Sequence, residues 1–173
     1  MAEIHMIGEI HYFLDNKKRI AGARWSLLYG PKWKTISGQD DCRTQFDEPY
    51  FGKQCTWSAP IDLHLLTTSV DGWPQFIFKI LRKDFDTGTI SLIGYGSCHV
   101  PSVPGQHSLK GFIWKPIGIA EESTAQESSE SFRKSKVWSS AFRHQLETKP
   151  VGSVDITVTL IFKSMNCLGV AYK

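Results

Sequence analysis

With 173 residues, 41% of them hydrophobic and 12% aromatic, the chain has the composition of a folded globular protein that buries one sizeable core. That composition excludes intrinsic disorder, and no apolar run approaches the roughly 20 residues of a membrane-spanning helix. A net charge of +3 is too weak by itself to argue for an anionic membrane or nucleic acid, and no nucleic-acid partner is expected.

The start, Met1-Ala2-Glu3-Ile4-His5, lacks the basic and apolar regions of a secretory leader, so the protein is expected to be made and kept inside the cell. The first predicted strand places Ile4, Met6, Ile10 and Tyr12 on one face; Ile7 and Phe13 lie on the other, as if both faces were covered. An early loop follows with Asp15 and the basic run Lys17-Lys18-Arg19. Further strands are predicted over 23–29, 33–37, 54–57, 61–67, 75–81, 90–98 and 109–114, with Ser58-Ala59-Pro60 read as a break. Gly30-Pro31, Asp71-Gly72, Thr87-Gly88 and the run from Pro101 to Gly105 supply the turns, and Pro74 opens a strand where its missing N–H does no harm. The segment 121–136 is polar, serine-rich and charge-segregated, which predicts a mobile insertion; an amphipathic helix there has little apolar surface to bury. The last strand alternates most strictly, with Val154, Ile156, Val158, Leu160 and Phe162 on one face. These features predict an all-β fold: an antiparallel β-sandwich in a single domain over residues 1–173.

The four cysteines are scattered without metal-ligand or redox spacing, so reduced structural thiols are expected. The six histidines show no spacing that sets one against a Ser or Cys nucleophile, and Gly94-Tyr95-Gly96 lacks the third glycine of a dinucleotide loop. No enzyme is expected, and no cofactor. His5, His11 and His64 alternate with apolar residues and belong on outer strand faces, where Asp62 and His64 share a side. Trp57, Trp73 and Pro74 sit at breaks and turns and are candidates for contact with another protein. Lys17, Lys18 and Arg19 are candidates for anionic lipid heads, each properly placed charge being worth about 1 kcal/mol.

The strings Pro60-Ile61-Asp62-Leu63-His64-Leu65, Gly72-Trp73-Pro74, the run from Gly94 to Pro101 and Trp114-Lys115-Pro116-Ile117-Gly118 together resemble the B-nine domain family. That resemblance implies a sandwich related to the calcium- and phospholipid-binding C-two domains. It implies a scaffold on the cytoplasmic side of the ciliary base, at the transition zone, basal body and adjoining axoneme. The implied partners are other B-nine proteins, including a Meckel-syndrome-type paralogue, with connections to tectonic and coiled-coil C-two proteins. The implied role is ciliogenesis and gating of membrane-protein entry. A calcium- or lipid-dependent peripheral membrane adaptor is the other reading. In calcium-binding C-two domains the loop corresponding to Asp84-Phe85-Asp86 is followed by a third aspartate, where this chain has Ser91. Asp84, Asp86 and Asp15 fall short of the six to eight oxygens that calcium takes, and Lys17-Lys18-Arg19 would repel it, so no metal is expected.

Overall fold

The computed structural model describes residues 1–117 and 128–171. Nine strands form one antiparallel hydrogen-bonded sheet in the order β3-β5-β1-β9-β8-β7-β6-β2-β4. They are β1 (Ala2–Asp15), β2 (Ala21–Leu28), β3 (Trp33–Gly38), β4 (Asp41–Arg43), β5 (Gln54–Thr67), β6 (Gln75–Lys83), β7 (Ile90–His99), β8 (Gly105–Pro116) and β9 (Thr148–Lys163). The sheet curls so that its two halves face each other. Ile4 and Met6 of β1 and Leu63 and Leu65 of β5 share one core with Trp25 and Leu27 of β2 and Phe76 and Phe78 of β6. This is the expected C-two-like β-sandwich.

The strict alternation of β9 places Val154, Ile156, Val158 and Leu160 in that core, each at most 1% exposed. At β1 the expectation needs correction. Ile10 pairs with Ile156 and Tyr12 with Asp155, so His11 is an extra residue on β1. Because strand faces alternate with period two, that bulge moves the core face by one residue. Phe13 is therefore buried, Tyr12 is only half-buried, and Ile7 stays 47% exposed, leaving the outer face of β1 bare. Gly8 fits between β1 and β9 only because it has no side chain; a Cβ would lie 2.1 Å from the Thr157 carbonyl oxygen.

A second correction concerns Ser58-Ala59-Pro60, which interrupts nothing: β5 runs unbroken from Gln54 to Thr67. Ser58 takes a left-handed φ of 46° at the bulge, and Pro60 pairs with Glu9 of β1. On its other side β5 meets β3 only from Leu63 to Thr67, so the missing Pro60 N–H costs no ladder bond.

The third correction concerns 121–136. Residues 121–127 lie outside those described. The rest is not a loose insertion: α1 (Ser129–Lys134), a 3-10 turn at Lys136–Trp138 and α2 (Ser140–Arg143) lie across the outer face of β2, β6 and β7. Ser128 caps α1 by accepting the Ser131 N–H at 3.1 Å, and Glu130 pairs with Lys134 on its outer side. A six-residue helix does not persist alone. What holds it is Phe132, only 1% exposed, beneath the Arg24 guanidinium at 4.7 Å.

Candidate interaction surfaces

The covered face is a latch of rings and charges. Trp138 meets Phe132 edge-on at 5.4 Å and Tyr95 of β7 at 5.6 Å, while its indole N–H donates to the Phe132 carbonyl at 2.6 Å. Arg133 donates to the Ser26 hydroxyl at 2.7 Å and pairs with Asp40 at 2.7 Å. Asp40 also accepts from Tyr29 at 2.6 Å and Thr35 at 2.8 Å. Burial opposes ionisation of Asp40, but the hydrogen bonds from Tyr29, Thr35 and Arg133 outweigh it and hold the carboxyl below its ordinary value. Burial, reinforced by the bond to Asp40, pushes the Tyr29 phenol up. Ile77 and Lys79 of β6, which lies between β2 and β7, are 0% and 3% exposed although they point away from the core. The sequence hid this latch, since Phe132 is its sole aromatic residue before Trp138 and the Ser26 that Arg133 reaches lies 107 positions away.

The opposite outer face, made by β5, β1 and β9, carries no such cover among the described residues. Ser37, His64, His5 and Ile161 form one rung across β3, β5, β1 and β9. The His5 and His64 rings stack at 5.0 Å; His5 bonds Asp62 at 3.2 Å and His64 bonds Glu3 at 3.1 Å. Glu3 also accepts from Lys163, the main cause that lowers its pKa; burial opposes this and the bond from His64 adds to the lowering. Ile7, Ile36 and Ile161 are 47%, 51% and 53% exposed around this network. Asp62 and His64 thus share a face, but each reaches across to β1 instead of bonding the other. Glu9, His11 and Thr157 form an acid–imidazole–hydroxyl line at 3.2 and 2.7 Å. It lies on the open outer face of β1 and β9, at the His11 bulge.

The tryptophan candidates are placed unequally. Trp57 is buried, not partly exposed: it stacks on Phe13 at 6.0 Å and donates to the Ala21 carbonyl at 3.1 Å. Pro74 is buried as well. Trp73 is half-buried, edge-on to Trp33 at 5.3 Å and to Phe162 at 6.1 Å, and donates to the Val100 carbonyl at 2.8 Å. It closes the end of the sandwich opposite to the one that carries the charged loops.

At that charged end the structure does bring Lys17, Lys18, Arg19, Asp84 and Asp86 together, around a cleft of about 660 Å³ that Glu48 also lines. Asp15 is 3% exposed and holds Arg19 through both oxygens, at 2.6 and 2.7 Å. Asp84 accepts the Asp86 and Thr87 backbone N–H groups at 3.0 and 3.3 Å, as a turn former does. Among the described residues no three His, Cys, Asp or Glu side chains are grouped to hold a metal, and calcium takes six to eight oxygens. A second cleft, of about 460 Å³, shares Lys17 and Arg19 and adds Lys115 and Lys149. Sequence reasoning missed those two, because β8 and β9 bring them to the loop end from far along the chain.

Comparison with known proteins fits this architecture. A family model described as ciliary basal body-associated B9 protein matches residues 4–161. The chain is 34% identical to human B9 domain-containing protein 2 over 174 residues, covering 98% of the chain and 99% of the relative. It is 30% identical to the Drosophila melanogaster protein of that name over 178 residues, with both chains fully covered. Xenopus laevis B9 domain-containing protein 1 is 30% identical over 87 residues, 49% of the chain and 43% of the relative. The chain therefore belongs to the B9-C2 family of ciliary basal body-associated proteins.

Proposed function

We propose that this protein is a non-enzymatic scaffold that binds paralogous B9 proteins in a Meckel-syndrome-type complex. The complex sits on the cytoplasmic side of the ciliary transition zone, contacts tectonic and coiled-coil C-two proteins, and gates membrane-protein entry during ciliogenesis. The observation that carries this reading is the bare β5-β1-β9 face. Three exposed isoleucines surround a set of histidine–carboxylate bonds that already satisfy one another, which is an apolar centre with a polar rim. Family membership supports the ciliary setting, and the open placement of the Glu9–His11–Thr157 line supports binding without turnover.

Co-expression with paralogous B9 proteins, followed by co-purification and sizing, tests it. Ile7→Asp combined with Ile161→Asp is expected to abolish complex formation while the isolated chain keeps its thermal midpoint. A complex that survives the double substitution would sink this assignment of the face. Trp73→Ala provides a separate check on the far end: if assembly and folding both persist, Trp73 is no contact.

A further inference from the structure

Phe112 stands in the middle of β8, an interior strand of the sheet, and is nevertheless 70% exposed. The strand register shows what surrounds it. Leu14 of β1, Ser153 of β9, Phe112 of β8 and Ser97 of β7 form one rung on the outer face. Leu14 is 44% exposed, and Ser153, flanked by Leu14 and Phe112, is 7% exposed although it points away from the core. The next rung holds Tyr12, Asp155 and Lys110. Cross-strand neighbours and their diagonals lie within reach of aromatic side chains, so Asp155 sits between Tyr12 and Phe112. Its Oδ1 is 3.9 Å from the Lys110 ammonium, beyond hydrogen-bond distance, and its Oδ2 is buried without a hydrogen-bond partner among the described residues. A carboxylate oxygen withdrawn from water is unfavourable until a donor is supplied. Arg143 of α2 donates to the Ser97 hydroxyl at 3.4 Å, which puts the edge of the latch at the border of this patch. On the other side the bonded pair His11 and Thr157 leads into the bare β5-β1-β9 face.

We infer that this patch docks a partner protein through an arginine side chain, whose guanidinium bonds Asp155 Oδ2 between Tyr12 and Phe112 while aliphatic neighbours of that arginine cover Phe112 and Leu14. The inference rests on the scaffold reading, whose bare face it extends onto β8, and it names what the partner must present. Arginine fits better than lysine, because a planar, weakly hydrated guanidinium lies flat on an aromatic ring and still donates to a carboxylate. An ammonium already stands beside the site on Lys110 and leaves Oδ2 unbonded. A metal ion fits worse, since among the described residues no three His, Cys, Asp or Glu side chains are grouped to hold one. The chain uses the same chemistry on the half of the outer face that it covers itself. There Arg133 pairs with Asp40 at 2.7 Å and lies 5.8 Å over the Tyr29 ring. At Asp155 the carboxylate and the rings are in place and the arginine comes from outside.

The test has two arms. The full chain and its variants are titrated against co-purified paralogous B9 proteins, and the free chain is titrated with the capped tripeptides Leu-Arg-Leu and Leu-Lys-Leu, read by amide chemical shifts. Asp155→Asn is expected to weaken paralogue binding by about tenfold or more, as the loss of a hydrogen bond to a charged group does. Phe112→Ser should weaken it comparably, and Lys110→Met should tighten it by removing the competing ammonium. Asp86→Asn, which removes an exposed carboxylate at the charged end, is the charge-matched control and should bind as the parent does. Leu-Arg-Leu should shift the amides of 110–112 and 153–157 in the parent but not in Asp155→Asn, and Leu-Lys-Leu should act several-fold more weakly. Thermal melts establish that the variants fold. A midpoint lowered by several degrees in Phe112→Ser would show that the chain covers this patch itself and would overturn the proposal. It is also overturned if Asp155→Asn binds the paralogues as tightly as the parent, which leaves the scaffold reading standing, or if the two tripeptides act alike. Should the paralogues fail to bind the parent chain, the scaffold reading falls and the tripeptides alone decide this inference.

Discussion

The two outer faces of this sandwich differ in what was left for other molecules. Over β2, β6 and β7 the chain covers itself: Phe132 is 1% exposed, and Arg24 and Lys79, residues that ordinarily face water, are 6% and 3% exposed. Over β5, β1 and β9 the same alternation of inward and outward residues leaves Ile7 and Ile161 about half exposed. A β-sheet has two faces and one core uses only one of them, so the other requires a cover from the same chain or from a partner, or else must be polar. The protein resolves this question differently on each side.

The contrast can be broken most directly at Phe132. Phe132→Ala is expected to cost about 3–5 kcal/mol in a denaturant melt, the range for emptying a buried aromatic site, and to release residues 129–143 to rapid amide exchange. If exchange there is already fast in the parent protein, the latch picture fails. A smaller effect, about 2 kcal/mol, is expected for Arg133→Ala, which strips the charged donor from Asp40 and Ser26. The same contact predicts a pH response. Asp40 is held below its ordinary value in the folded protein, so its contribution is complete above the usual aspartate range near 4 and is lost as pH falls below it. Amide exchange over 129–143 should therefore accelerate in acid beyond its intrinsic trend, and Asp40→Asn should remove that excess. On the bare face, Ile7→Ala should change stability by no more than about 0.5 kcal/mol, because little area is withdrawn from water there. A larger loss would mean that this face is covered within the chain itself.

The thiols sharpen the comparison further. Burial pushes Cys55 and Cys98 each up to about 11, whereas Cys167 is exposed. At pH 8 a thiol reagent is expected to label Cys167 first, with Cys55 and Cys98 slow until the pH approaches 11 or the fold opens. Rapid labelling of Cys98 in the Phe132→Ala protein would show that losing the latch loosens the sheet beneath it.

Much of the sandwich was legible residue by residue. Val154 to Leu160 obey period two and Asp71-Gly72 supplies its turn because each of these is decided by residues close in sequence. Phe13 was misplaced because a bulge at His11 depends on the partner strands, and those are remote in sequence. Pro60 looks like a break in the sequence because its harmlessness depends on β3 stopping short of it. At the charged end the Lys17-Lys18-Arg19 run was visible as a string, whereas Lys115 and Lys149 are isolated charges that only strand pairing carries to the same cleft.

The sequence by itself determined the fold class, much of the strand alternation and the turns, since these rest on side-chain spacing and backbone preferences within a few residues, while the family was legible only through the resemblance of its residue strings. Tertiary structure alone decided which outer face is covered, that Asp15 is locked by Arg19 beside a cleft lined by Asp84 and Asp86, and that Lys115 and Lys149 join Lys17 and Arg19 around a second cleft. Those outcomes are sums over contacts between residues far apart in the chain, and nothing local in the order of residues fixes which distant groups will meet.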